Sequence, residues 1–467
     1  MIRKSLVILG IASAYFVNAQ QVSIIRNTAE VYSNSSVNGT SKYNSMAGSM
    51  GALGGDISVL NSNPAGIGVN ITSEFSGTLA IQNNNNSTTS FGKSLESDIN
   101  KTILGNIGGT AAFKIEGNTP WKFMNLAVNF STQKIDDKTR SAGNPNIVFN
   151  YLNSDGTPYT DLSFTGHYYD RYGEVSKMSV GIGGNYDNRI YVGLGLNFHN
   201  AILDQYDRAT FLSSADGKTE IGDKQYTPYS ETSNGFSASV GVIGKINPQF
   251  RLGAALETPT WWNMVRLYNA YSDVDNATYT EDSKLSSPLK ATLSAAYVPN
   301  KNFAINVDYV LGLTKPRFKE YGPADAEANQ ILSDNYKNLS EIRVGAEYRF
   351  EGLRVRGGYA FASSPFDNIS VNSYKADGSS GNASFGNMFV GKRNTIGAGI
   401  GYDFRSFFID AAYQNVSSEY SSPFLAGSSD SQTGYYTQNF IVESPAYAVS
   451  TVKNKKNNYF ITLGWKF

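Results

Sequence analysis

Ser49 stands in Ala47-Gly48-Ser49-Met50-Gly51, which approximates the sharp turn that presents a nucleophilic serine, with Ala for the first glycine. That chemistry needs a strand before the serine, a helix after it and a histidine to accept its proton. No strand pattern precedes Ser49, and the nearest histidine, His167, falls in a long polar stretch. The glycines at 48, 51, 54 and 55 lack the spacing of a dinucleotide loop. With Cys 0 and only two histidines (His167 and His199), thiol nucleophiles, disulfides and Cys-based clusters are excluded. Histidine-based metal chemistry has almost nothing to work with. His199 lies on the polar face of an alternating segment, either as one more polar residue or, with a tyrosine in support, as a haem ligand. No catalytic residue, cofactor site or metal site is therefore assigned. Lys+Arg 39 against Asp+Glu 39 gives no whole-chain charge to attract nucleic acid.

The sequence is richer in architecture than in reagents. Across 467 residues it holds Gly 45 and Tyr 30, 13% aromatic residues and 17% charged ones, against about 25% charged in soluble domains. A mean hydropathy of −0.31 is too polar for a bundle of membrane helices. Met1-Ile2-Arg3-Lys4, an apolar run from Leu6 to Val17, and small residues before Gln20 describe a secretory signal peptide over 1–19. At the other end, Tyr459, Ile461, Leu463, Trp465 and Phe467 alternate with Thr462, Gly464 and Lys466. That is a strand with one oily and one polar face. A terminal aromatic of this kind resembles the last strand of bacterial outer-membrane barrels, which assembly machinery recognises.

The same alternation recurs in about fourteen segments, starting near 71, 106, 121, 174, 189, 232, 249, 286, 302, 338, 353, 392, 406 and 455. Short turns such as Asp187–Asn188, Asn247–Pro248 and Glu351–Gly352 alternate with long polar stretches such as 134–173, 258–285, 315–337 and 421–454. Short periplasmic turns and long extracellular loops are the outer-membrane arrangement, and an even count puts both barrel ends in the periplasm. Trp121, Tyr186, Phe350, Phe404, Phe407 and Trp465 sit beside the short turns, as an interfacial girdle would. Charges on the other face, among them Arg251, Lys290, Asp308, Arg343 and Asp410, must point into the lumen. On the lipid face they would cost about 2–4 kcal/mol each near the midplane. The strand glycines 181, 183, 193, 195, 397, 399 and 401 share the lumen parity and leave room there. The fold expected is all-β, a transmembrane antiparallel barrel of about 14 strands. A barrel that wide is either an open pore or plugged.

Residues 20–70 do not alternate. They hold a run of Gly and Ala, then Asp56-x-Ser58, then Asn63-Pro64-Ala65-Gly66. This segment resembles the N-terminal hatch of the FadL/TodX family, outer-membrane channels for long-chain fatty acids and aromatic hydrocarbons. The resemblance implies a hatch over 20–70 inside a barrel over 71–467, with Asp56, Ser58, Asn63, Pro64, Ala65 and Gly66 in structural roles. It further implies passive movement of hydrophobic molecules from an extracellular groove to a lumen site and out through a gap in the wall. Some distant relatives serve in protein secretion or as haem receptors, which is the alternative reading.

Trp261, Trp262, Phe424 and Phe440 put large apolar groups in loops that otherwise read as polar, either packing the loops together or forming a greasy way in. With Glu351-Gly352 as a two-residue turn, Arg349 faces Arg354 and Glu347 faces Arg356, a lumen charge pair. The Arg349–Arg354 repulsion then calls for a carboxylate from the hatch or from Asp308. The partners expected are a hydrophobic small molecule, outer-membrane lipids and barrel-assembly machinery, with no nucleic acid and no cofactor. The chain reads as an exported monomer of a Gram-negative outer membrane.

Overall fold

The structure is a computed structural model that describes residues 19–34, 37–152, 158–225, 227–271, 276–428 and 433–467. The leader expected over 1–19 lies outside them, apart from Ala19. Alternating side chains fold as fourteen barrel strands: β1 (Glu74–Ser90), β2 (Lys93–Lys114), β3 (Trp121–Lys134), β4 (Pro158–Tyr186), β5 (Ile190–Ser213), β6 (Pro228–Lys245) and β7 (Phe250–Glu257), then β8 (Lys290–Tyr297), β9 (Phe303–Gly312), β10 (Ser340–Phe350), β11 (Leu353–Ala362), β12 (Lys392–Asp403), β13 (Phe407–Phe424) and β14 (Ala448–Lys466). Each pairs antiparallel with the next. β14 then closes on β1 from Glu74↔Lys466 to Thr89↔Thr451, so the sheet has no free edge there. Asp187 and Asn188 (φ 51° and 52°) and Glu351 (φ 51°) take the left-handed backbone that tight hairpins with right-twisted strands require.

The outward face carries exposed Leu126, Val128, Ile182, Leu194, Val240, Leu293, Ile400 and Ile461. One aromatic ring flanks this band at the short turns, with Trp121 against Tyr186 and Phe404 stacked on Phe407. A second ring lies at the far side: Phe198, Phe236, Trp261, Tyr413 and Tyr459. The stretch from Ile190 to Phe198 spans roughly 20 Å of tilted strand, the height of an outer-membrane apolar band.

Beyond the second ring the polar stretches expected as loops are in large part extended. β4 and β5 run on, joined by the strand Asp137–Leu152, and the strands Trp261–Tyr271 and Asn276–Ser286 form a hairpin above β7 and β8. Water bathes the outer side of these extensions, so no oily face marks them as strands. Pro259 and Pro288 interrupt two neighbouring strands side by side, since proline has no N–H to give the ladder.

The N-terminal segment fills the lumen. It comprises α1 (Ala19–Asn27), a π-helical turn (Thr28–Tyr32), α2 (Ser41–Ser45) and two 3-10 turns (Ile57–Asn61 and Pro64–Val69). The connection between β9 and β10 holds a further helix, α3 (Pro323–Asn335). Ile24, Ile25 and Ala29 pack beneath Ala328, Ile331 and Leu332 of α3 at the outer end. Ala65 and Val69 lie near the short turns, against Tyr191 and Ile243.

Candidate functional site

Asp56 and Asn63 begin the two 3-10 turns. Asp56 Oδ1 accepts from Ser58 N at 2.8 Å and Asn63 Oδ1 from Ala65 N at 3.1 Å, each satisfying an amide that a helical start leaves free. The second oxygen of Asp56 accepts from Thr40 Oγ1 (2.7 Å), while Ser58 Oγ accepts from Thr40 N (2.9 Å). Asn63 Nδ2 donates to Gly51 O at 2.8 Å and to Val242 O of the wall at 3.2 Å. Pro64 opens the second turn, and Gly66 O accepts from Gly55 N. These six residues tie the plug to itself and to β6, and none lines the cavity except Pro64.

The wall is shaped to receive the plug. A Cβ on Gly193 would lie 2.3 Å from Pro64 C, and one on Gly358 2.2 Å from Met46 C. Either addition would push the segment off the strands. Asp308 accepts from Met50 N (3.0 Å) and Gly51 N (3.1 Å), and Arg251 donates to Leu53 O at 3.1 Å. Asp308, one of the two sources that the sequence offers for a carboxylate against the Arg349–Arg354 repulsion, is therefore occupied by the plug. That repulsion is relieved by Glu347, 2.5 Å from Arg349, and by Asp403, 3.6 Å from Arg354. Glu347 stands opposite Arg356 and accepts from its Nε at 2.5 Å, and Arg356 also reaches Asp410 at 2.6 Å.

Against the plug lies a cavity of about 280 Å3, bounded by the π-helical turn and Leu60–Ser62 of the plug, by Trp262, Leu256 and Tyr336, and by Lys177, His199, Glu257 and Lys290. Trp262 (3% exposed) stands edge-on to Tyr32 of the plug at 5.0 Å and 5.4 Å from His199. His199 Nε2 shares a hydrogen bond with Ser237 Oγ at 3.1 Å, and Ser237 Oγ donates to Glu257 at 3.2 Å. The lining mixes apolar surface with charge, so it suits an amphiphile as well as a bare hydrocarbon.

The cavity reaches a gap in the wall. The β2–β3 ladder ends at Asn106↔Ser131; past it, β2 from Lys93 to Leu104 is laddered to β1 only, with Ser97 Oγ donating to Lys138 O, and Thr132–Lys134 is laddered to β4 only. The chain then bends inward. Asp136 O and Lys138 O accept from Asn84 (2.7 Å) and Asn86 (2.7 Å), lumen-facing side chains of β1. Ile99 and Lys101 on one bank and Ser131, Gln133 and Lys134 on the other all border the cavity.

Of the four aromatic residues expected at a way in, only Trp262 borders this cavity. Trp261 (48% exposed) faces outward in the upper ring, stacked on Phe236 at 6.4 Å, because adjacent residues of a strand point to opposite faces. Phe424 is buried among the strands beyond the second aromatic ring, 4.0 Å from the His167 ring, and Phe440 packs on Tyr151 at 4.9 Å. They hold the loops together and are not a groove. Sequence reasoning missed the π-helical turn and the Ile135–Asp137 bend; a π-turn, which often marks a functional position, leaves no period to read.

No protein-family model and no curated protein matches the sequence. Solved structures do resemble the fold. The P. putida toluene transporter TodX aligns with a TM-score of 0.53 at 12% identity, covering 92% of this chain and 99% of its own. A Pseudomonas aeruginosa FadL homologue aligns with a TM-score of 0.55 at 12% identity, covering 92% and 98%. The Ralstonia pickettii toluene transporter TbuX gives 0.51 at 14% identity, covering 92% and 99%. At such identities the likeness establishes the plugged fourteen-stranded barrel as a fold.

Proposed function

We propose that this chain is an outer-membrane passive channel for hydrophobic small molecules of the class of long-chain fatty acids or alkyl aromatics. The observation that carries the reading is one cavity bordered both by the lumen plug and by the two banks of a wall gap. A greasy ligand gains about 25 cal/mol per Å2 of apolar surface buried, which draws it from water into the cavity. The gap gives it a sideways exit at the level of the outer ring, so it need not cross the polar lumen. Two of the structures that share the fold are described as toluene transporters and a third as a FadL homologue, which supports the same reading. Residues 20–70 are the hatch, with Asp56, Ser58, Asn63, Pro64, Ala65 and Gly66 as its frame. The chain is exported, its leader removed after Ala19, and works as a monomer once assembled.

Mass spectrometry of the folded, detergent-extracted protein should identify a co-purified lipid or hydrocarbon, and Trp262→Ala should slow its uptake about tenfold while Trp261→Ala leaves it unchanged. A protein that binds and admits no such molecule would instead be a receptor for haem or a secretion partner.

A further inference from the structure

On the short-turn side, a second hollow of about 250 Å3 lies between the plug and the wall, and it shares no lining residue with the cavity described above. Four cationic side chains reach it from four elements: Lys42 of α2, Arg251 near the start of β7, Lys301 in the turn between β8 and β9, and Arg349 near the end of β10. The one carboxylate in its lining, Glu347, is already shared between Arg349 and Arg356, each 2.5 Å away. Lys42, Arg251 and Lys301 form no ion pair among the described residues. Lys42 Nζ donates to Gly55 O at 2.7 Å and Arg251 Nη1 to Leu53 O at 3.1 Å, both neutral acceptors that leave the charges standing. Arg251 Nε is buried and has no acceptor among the described residues.

Like charges gathered around an enclosed hollow repel more strongly than they would in open water. A buried guanidinium N–H without an acceptor is a further cost. An oxyanion between them answers both. The planar guanidinium matches its oxygens as a fork, and the two ammonium groups add point charges from other directions. A carboxylate brings a single negative charge, whereas a phosphate monoester brings about −1.5 to −2 at neutral pH, closer to the surplus of three cations. Met46, Met50 and Leu53 line the same hollow, so the apolar remainder of a phosphate ester also has a place there.

We propose that this hollow is a binding site for a phosphate group carried on a small apolar body, with Arg251 as the fork and Lys42 and Lys301 as its flanking charges. The site stands or falls separately from the transport reading, because none of its residues borders the cavity assigned to cargo. The phosphate has two sources. Lys301 is exposed, which admits a soluble phosphate, and Val298 and Phe303 line the hollow at the rim of the barrel, within reach of a phospholipid headgroup.

Isothermal titration of delipidated full-length protein with inorganic phosphate should show saturable binding if the source is soluble. Native mass spectrometry from micelles containing phosphatidylglycerol should show a retained lipid if the source is the headgroup. Whichever binds, Arg251→Gln and Lys301→Glu should each weaken it by about tenfold or more, the worth of one charge-assisted contact. Lys301→Glu lies in an exposed turn and keeps the test open if Arg251→Gln loosens the plug. Arg189→Gln, at a different short turn and outside the hollow, should leave binding as it was. Neither phosphate nor lipid bound, or an equal loss in Arg189→Gln, would overturn the site. Octanoate binding more tightly than phosphate would overturn the assignment to phosphate.

Discussion

At the lumen wall the charges form chains, and chains change what a substitution does. Arg349, Glu347, Arg356 and Asp410 alternate in sign through contacts of 2.5, 2.5 and 2.6 Å. Exchanging Glu347 and Arg356 keeps that pair but sets a guanidinium at position 347 against Arg349 and a carboxylate at position 356 against Asp410. The exchange should therefore destabilise the barrel as much as either single reversal, about 3–5 kcal/mol for a broken buried pair. Adding Arg349→Glu and Asp410→Arg should restore it. Unfolding temperatures on semi-native gels would read this, and a rescue by the two-residue exchange alone would refute the chain. The facing pair itself was legible in the sequence, because a two-residue turn fixes the register. Its outer neighbours were not, since they come from the same strand two residues on and from a strand far away in sequence.

Lys224 lies outside the membrane, on the strand Thr219–Lys224, with its ammonium donating to Ala426 O and standing 4.5 Å from the Tyr435 ring. Burial lowers its pKa to about 7, against the pull of Asp207. A depressed lysine is charged in the unfolded loop up to its ordinary pKa but neutral in the folded one above 7. The unfolded form thus binds more protons between pH 7 and about 10, and stability of this loop junction rises with pH across that window. Hydrogen exchange of residues 424–428 and 433–436, together with 219–225, should slow from pH 7 to 9 after correction for the intrinsic rate. Lys224→Met should flatten the trend, and an unaltered trend in that variant would assign it to another group.

Among the elements, the membrane strands were legible because lipid on one side and plug on the other force a strict alternation. Start positions read near 121, 189, 249, 302, 353 and 406 fall within a residue of strands beginning at 121, 190, 250, 303, 353 and 407. The strands beyond the second aromatic ring were not legible, since water and protein both accept Thr, Asn and Tyr. The wall gap was invisible for a related reason: it is a missing ladder, and the sequence of β2 around Lys101 reads as strand whether or not a neighbour pairs with it. The plug turns were legible through their capping residues. Loss of a cap costs about 1 kcal/mol, but Asn63 also bonds Gly51 O and Val242 O, so Asn63→Ala should loosen the plug more than Asp56→Ala, whose oxygens act only within the plug. Proteolysis of residues 46–69 in reconstituted protein would rank the two, and equal rates would mean that the Val242 contact carries nothing.

The molecule as a whole sets a closed cylinder against the segment that blocks it, and the two are held by different forces. The cylinder rests on a ladder of backbone hydrogen bonds, broken between β2 and β3 past Asn106↔Ser131, with an oily exterior, and none of its bonds involves residues before Ser73. The plug rests on caps, on Asp308 and Arg251, and on glycine seats at 193 and 358. Removing residues 20–70 should then leave the ladder intact while exposing a lumen lined by Arg251, Asp308, Arg343 and Arg356 to water. Buried charges paired with the plug lose those partners but gain solvent, so the cost to the cylinder is small compared with the burial of its outer band. The shortened protein should still migrate as a folded barrel on semi-native gels and should conduct ions in planar bilayers, where the full-length protein is nearly silent. A folded deletion variant with unchanged conductance would mean that the strands beyond the second aromatic ring and α3 close the barrel on their own, and the N-terminal segment would then be a scaffold for the cavity and not the gate.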